Sequence, residues 1–128
     1  MIVAGVGCRR GTPADGVEAA LNAACRQAGI ALTSVTSLAT GVIKEDEPGI
    51  LEIAARLNLP LHIVGDEDLR AAESRTRTVS RHSLAKTVSP SLSEAAALAV
   101  AGERSALLVA RVIAEGATCA LAQPEQSP

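Results

Sequence analysis

The chain contains no Phe, Trp or Tyr. It must therefore build a core without the side chains that each bury the most area, roughly 150–250 Å². Alanine supplies 25 of the 128 positions, so small helix-forming residues together with Leu, Val and Ile have to fill the interior. The same absence excludes base stacking as a way of holding single-stranded nucleic acid and an aromatic cage for a quaternary ammonium. A formal charge of −2 and a pI near 5.7 argue against nonspecific nucleic-acid binding, which needs a basic face. With 48% apolar and 20% charged residues the chain is not a solvated, disordered one. Its length suits a single domain, over residues 1–123 with a short tail at 124–128.

No apolar run approaches the roughly 18 residues that suggest a membrane span, and no basic leader precedes Ile2. Three cysteines without CxxC spacing read as reduced thiols rather than a disulfide frame. A cytoplasmic setting is expected.

Strands and helices alternate in the first half. Ile2-Val3-Ala4-Gly5-Val6 is a continuously apolar run, the mark of a strand buried on both faces. Thr12 as cap, Pro13 at the first helical position and Asp15 behind them predict a helix start. That helix runs to Ala28 and stops at Gly29, burying Val17, Leu21, Ala24 and Ala28. Residues 30–40 are rich in β-branched side chains and predict a second strand. Lys44-Glu45-Asp46-Glu47-Pro48 predicts the start of a second helix, ended by Asn58, and Leu61-His62-Ile63-Val64 a third strand. Asp66 is placed to cap a brief helix. This alternation predicts a largely parallel sheet with helices on both faces.

Between Ser74 and Pro90 the pattern fails; Arg75, Arg77, Arg81 and Lys86 fall there with no acid among them. The segment reads as a surface connection or as a flap over a ligand. Ser91-Leu92-Ser93-Glu94 has the form of a capping box, and the Ala-rich helix behind it ends at Gly102. Leu107-Leu108-Val109 and Thr118-Cys119-Ala120-Leu121 predict an antiparallel hairpin turning at Ala114-Glu115-Gly116, which makes the sheet mixed.

Gly5-Val6-Gly7-Cys8-Arg9-Arg10-Gly11-Thr12-Pro13 carries the best chemical signal, because it lies where a buried strand hands over to a helix. Backbone N–H groups and the helix dipole favour an anion there, and Arg9 and Arg10 add forked donors suited to carboxylates. Neither a dinucleotide fingerprint nor a P-loop is present. A glycine-rich turn with two solvated arginines is the plainer alternative. Cys8 is the candidate nucleophile, with a pKa expected to be lowered by the helix and the arginines. A partner base is not evident, although His62 and His82 are available. Cys25 and Cys119 read as small core residues, and His62 as a core histidine. The acids at 45–47 read as helix-dipole partners before a metal or acid/base pair. Lys44 is a lone cation at the end of the second strand, readable as a solvated lysine or as a ligand contact. No histidine pair has metal-ligand spacing, so no metal and no cofactor is expected.

The loop from Gly5 to Thr12, Ala39-Thr40 with Lys44-Glu45-Asp46-Glu47-Pro48-Gly49-Ile50-Leu51, and Leu59-Pro60-Leu61 resemble the CobE/CbiG C-terminal domain family of cobalamin biosynthesis. Ser93-Glu94-Ala95-Ala96-Ala97-Leu98, Leu107-Leu108-Val109 and Thr118-Cys119-Ala120-Leu121-Ala122 extend the resemblance over nearly the whole chain. It implies a three-layer α/β/α fold with a mixed, mainly parallel sheet of about five strands. It also implies a role on the route to the corrin ring. In the CbiG relatives the whole protein is a hydrolase that opens a tetrapyrrole lactone and releases acetaldehyde. Here the first strand begins at the N-terminus, so the standalone form of the aerobic pathway is expected.

A corrin or precorrin intermediate carries many acid arms. The expected contacts are Gly7, Cys8, Arg9, Arg10, Gly11, Thr12, Lys44 and Glu47, with Arg75, Arg77, Arg81 and Lys86 as a flap. Three functions follow as alternatives: binding the intermediate while assisting or performing ring contraction or lactone opening, serving as a carrier or interaction subunit for other pathway enzymes, or binding a phosphate or nucleotide on the glycine loop. Nucleic acid and membrane are not expected partners.

Overall fold

The strand beginning at Val3 meets helices on both sides, and its small residues decide how near they come. The computed structural model describes residues 1–77, 79–82 and 87–124. The elements are β1 (Val3–Cys8), α1 (Ala14–Ala28), β2 (Ser37–Gly41), α2 (Pro48–Leu57), β3 (Leu61–Val64), α3 (Asp66–Ala72), β4 (Val79–His82), β5 (Thr87–Pro90), α4 (Leu92–Ala101), β6 (Ser105–Ala114) and β7 (Ala117–Pro124). Five strands form one sheet in the order β3-β2-β1-β7-β6. β1 pairs with β2, and β2 with β3, in parallel. β7 lies antiparallel to both β1 and β6, so four of these strands point one way and β7 opposes them. The α/β/α architecture with a mixed sheet is the expected one.

Alternation along the buried strands splits the core in two. Ala4, Val6, Leu38, Cys119 and Leu121 face α1 and α2, meeting Val17, Leu21, Ile50 and Ile53. Val3, Ala39, Ala120 and Ala122 face α4, meeting Ala96, Ala97, Leu98 and Ala101. This second face is floored with Ala and Gly, and α4 is itself rich in alanine, so helix and sheet approach closely. Gly5 marks the tightest point: a Cβ there would overlap the carbonyl oxygen of Ser93 and stand 2.9 Å from Ala97 Cβ. Cys25 and Cys119 are core residues, as expected.

Several local expectations are corrected. Residues 30–40 do not form one strand: Leu32–Ser34 is a 3₁₀ turn and β2 begins at Ser37. α1 starts at Ala14 with Pro13 as its cap residue, because the Thr12 hydroxyl donates instead to the carbonyls of Arg9 (2.8 Å) and Gly116 (3.3 Å). α2 starts at Pro48 with no acid in its first turn, and Val42–Lys44 is a 3₁₀ turn before it. Gly65, not Asp66, is the cap residue of α3. His62 is exposed on the edge strand β3 rather than buried. β6 is longer than the predicted Leu107–Val109 and carries two register shifts against β7. Pro124, assigned to the tail, closes β7; residues 125–128 lie outside the described residues.

The irregular stretch after Ser74 contains a further antiparallel pair, β4 with β5. Its approach is anchored. Arg75 Nη1 donates to the carbonyls of Gly102 and Ser105 and to Ser105 Oγ, all at 3.0 Å. Arg77 Nη2 donates to the Leu107 carbonyl at 3.3 Å. Glu94, fully buried at the third position of α4, has its backbone N–H capped by Ser91 Oγ at 3.3 Å. Its carboxylate accepts the N–H of Arg77 (2.7 Å) and of Arg111 (2.8 Å). Half of the expected capping box is thus present, while the carboxylate ties the β4 approach to β6.

Candidate functional site

The carboxyl ends of β1 and β2, the start of β7 and the end of β6 meet where α4 does not reach. α4 begins only at Leu92, so this helix does not extend over the sheet beyond its first turn. A cavity of about 780 Å³ opens there over Gly7, Ala117 and Thr118. Arg9, Lys44 and Arg111 line it, with Ile113 and the first turn of α4 at Ser91 and Leu92 as further walls. Among the described residues its lining includes three cations and no acid. The parallel strands thus direct their carboxyl ends at a cleft, where open α/β sheets place ligands, and a helix N-terminus adds its positive end.

The loop after β1 is braced on two sides. Arg9 N–H donates to the Gly116 carbonyl at 3.0 Å and Thr12 N–H to the Arg9 carbonyl at 3.1 Å. On the other side, Gly11 N–H donates to Glu47 Oε2 at 3.3 Å. Gly11 has φ of +82°, a conformation that disfavours any side chain. Gly116, with Glu115 at φ +53°, makes the tight β6–β7 turn that receives the loop. Thr40 Oγ1 donates to the Val6 carbonyl at 2.8 Å, which pins β2 beside β1 just below the site. Thr12 and Glu47 therefore shape the loop through buried side chains.

Arg9 and Arg10 do not share one cradle. Both are exposed, but Arg9 lines the larger cavity and Arg10 a separate one of about 570 Å³ with Ile43, Asp46 and Glu47. Neighbouring side chains leaving a strand point apart. Lys44 borders both cavities. The acids at 45–47 precede α2 rather than forming its first turn, and Glu47 turns inward to hold Gly11.

Cys8 lies in the larger cavity, yet its thiol is held above its ordinary pKa, not below it. Burial is the main cause; the Glu47 carboxylate adds to it, and Lys44 and the Thr12 hydroxyl oppose it. The helix and the arginines do not outweigh desolvation here. His62 stands two strands away from β1.

Arg75 does not join this site: it borders an opening between α3 and α4. Arg77 turns to β6, Arg81 belongs to β4, and Lys86 lies outside the described residues. Arg111 was missed in the sequence, since it sits amid an apolar strand with no local motif. The signal available was a lone arginine within Leu107-Leu108-Val109-Ala110-Arg111-Val112-Ile113. Among the described residues no group of three His, Cys, Asp or Glu side chains is placed to hold a metal ion, and no helix is long and apolar enough to cross a membrane.

Fold and cavity together define a small α/β/α domain whose parallel strand ends open on a cation-lined cleft. The chain belongs to the family described as Cobalamin synthesis G C-terminus, whose model matches residues 2–122, and is a protein of cobalamin biosynthesis. It is 34% identical over 123 residues to the protein CobE of a Sinorhizobium species, covering 96% of this chain and 80% of that one. The crystal structure of CobE, a protein from the cobalamin biosynthetic pathway, matches with a TM-score of 0.89 at 35% identity, covering 100% of this chain and 93% of that one. Cobalamin biosynthesis protein chiG from Agrobacterium tumefaciens str. C58 matches with a TM-score of 0.78 at 41% identity, covering 98% and 100%. A putative cobalamin biosynthesis protein G homolog from Sulfolobus solfataricus shares the fold, with a TM-score of 0.68 at 18% identity over 97% of this chain and 37% of that one.

Proposed function

We propose that this domain binds a polycarboxylate tetrapyrrole precursor of the corrin ring in the larger cavity and presents it to other enzymes of the pathway. The observation that carries this reading is the placing of Arg9, Lys44 and Arg111 around one cavity whose described lining holds no acid. Guanidinium forks and an ammonium group recognise acid arms by charge-assisted hydrogen bonds. Membership of a cobalamin-biosynthesis family supports the choice of ligand. A binding role is favoured over nucleophilic catalysis because the Cys8 thiol is pushed up by burial and by Glu47, which leaves little thiolate at neutral pH.

The test is titration of uroporphyrin and of cobyrinic acid, followed by the visible spectrum and by calorimetry. Absence of Trp and Tyr leaves the ligand's emission free of protein fluorescence. Micromolar binding is expected, weakening as salt screens the cations and weakening further in Arg9→Ala and Lys44→Ala. If neither ligand gives a spectral change or heat at low salt, the reading is rejected.

A further inference from the structure

Five large apolar side chains are exposed among the described residues, and the two most exposed isoleucines, Ile43 (79%) and Ile113 (66%), both border the cavities that meet at Lys44. Neither is required by the fold. Ile43 lies in the turn before α2, which is closed by the backbone bond from Glu45 N–H to the Val42 carbonyl (3.2 Å) whatever side chain stands between. Ile113 pairs with Thr118 near the β6–β7 turn, while its neighbour Val112 packs against the α1-side core. A polar residue at either position would keep the same backbone bonds, and scattered exposed apolar residues are ordinary. Each shares a cavity with Lys44, Ile113 together with Arg9 and Arg111, so an apolar support borders each of the two cavities that one cation joins.

The two cavities differ in charge. Among the described residues, the charged side chains lining the larger are all cations, whereas the smaller mixes Arg10 and Lys44 with Asp46 and Glu47. An acid arm is therefore favoured in the first and opposed in the second. Resting on the tetrapyrrole-binding reading above, we propose that the ligand ring lies across Lys44 with its apolar face on Ile43 and Ile113. The acid arms on the edge over the larger cavity then meet Arg9 and Arg111, and those on the opposite edge stay in water. The ligand class this defines is a ring with apolar faces and acid arms on its rim, one edge of which meets the cations. A compact polyanion, such as a nucleotide phosphate, would leave both isoleucines in water.

The experiment measures uroporphyrin affinity for the wild-type chain, Ile43→Ser and Ile113→Ser at several salt concentrations, with melting temperatures taken alongside. Each substitution is expected to weaken binding about ten-fold, the effect of losing one apolar contact. The salt dependence should be unchanged, and the melting temperature should stay near wild type. If the wild type binds and either variant binds as tightly, the proposed seat of the ring is wrong while the ligand class stands. A changed salt dependence in the serine variants overturns it too, because the loss would then be electrostatic. If the wild type binds no tetrapyrrole polyacid at all, the reading beneath it fails first and takes this one with it.

Discussion

Gly5→Ala tests whether close approach of α4 to the sheet sustains the molecule. The added methyl would overlap the Ser93 carbonyl oxygen and lie 2.9 Å from both Cβ and N of Ala97. Two of those three neighbours are backbone atoms of a hydrogen-bonded helix, so no rotamer change relieves the clash, and α4 must lift from β1. A gap of about 0.5–1 Å forfeits a quarter to a half of each dispersion contact along it, and α4 rests on Ala39, Ala120 and Ala122 as well as β1. Overpacking of this kind costs about 1–3 kcal/mol, and backbone on both sides argues for the upper end. Replacing a glycine returns about 0.4–1 kcal/mol through the unfolded state. The net loss is about 2 kcal/mol, a fall in Tm of roughly 8 °C for a domain of this size. Far-UV circular dichroism melts measure it, since the chain offers no Trp or Tyr emission. A Gly5→Ala protein melting within about 2 °C of wild type would refute the close-packing argument.

Gly65→Ser should raise Tm by a few degrees: the position is extended (φ −72°, ψ 162°), lacks a side-chain cap and has open space around it, so a cap hydroxyl in place of glycine contributes a few tenths of a kcal/mol and the stiffer unfolded chain about 0.4–1 kcal/mol more. Glu94→Gln should lower stability by about 1–3 kcal/mol, because one amide oxygen cannot serve the N–H groups of both Arg77 and Arg111 as two carboxylate oxygens do; urea denaturation reads the change. Native alkylation by iodoacetamide should be slow at pH 7 and accelerate as pH rises past 9, since burial and Glu47 favour the protonated Cys8 thiol. Glu47→Gln should speed that reaction at pH 8 and Lys44→Ala should slow it; the opposite order, read by mass spectrometry, would contradict the assigned causes.

Much of the architecture was legible because it follows from local chemistry. The Gly29 stop of α1, the Asn58 stop of α2 and the Ser91 cap of α4 each satisfy backbone groups within a few residues, and the apolar run at β1 shows burial on both faces by its composition alone. The glycine loop was legible as a site for the same reason. What escaped was set by partners far along the chain. Thr12 reads as a cap until Gly116, more than a hundred residues away, takes its hydroxyl. The pair Arg9-Arg10 reads as one charge cluster until the strand end sends its members to different cavities. Arg111 joins the site only because β6 runs beside β7, and Glu94 leaves its local role because Arg77 and Arg111 converge on it. The lowered thiol pKa failed on desolvation, which depends on packing rather than on neighbours in sequence.

Glu94, Arg75 and Arg77 have an effect beyond the elements they join. A ten-residue strand at the border of a sheet offers an unpaired ladder on which a second chain can build. Along β6, side chains already occupy the carbonyls of Ser105 and Leu107 and the amide of Arg111, and two register breaks kink what is left. The molecule thereby carries its own guard against strand-to-strand aggregation, assembled from two guanidinium groups and a carboxylate.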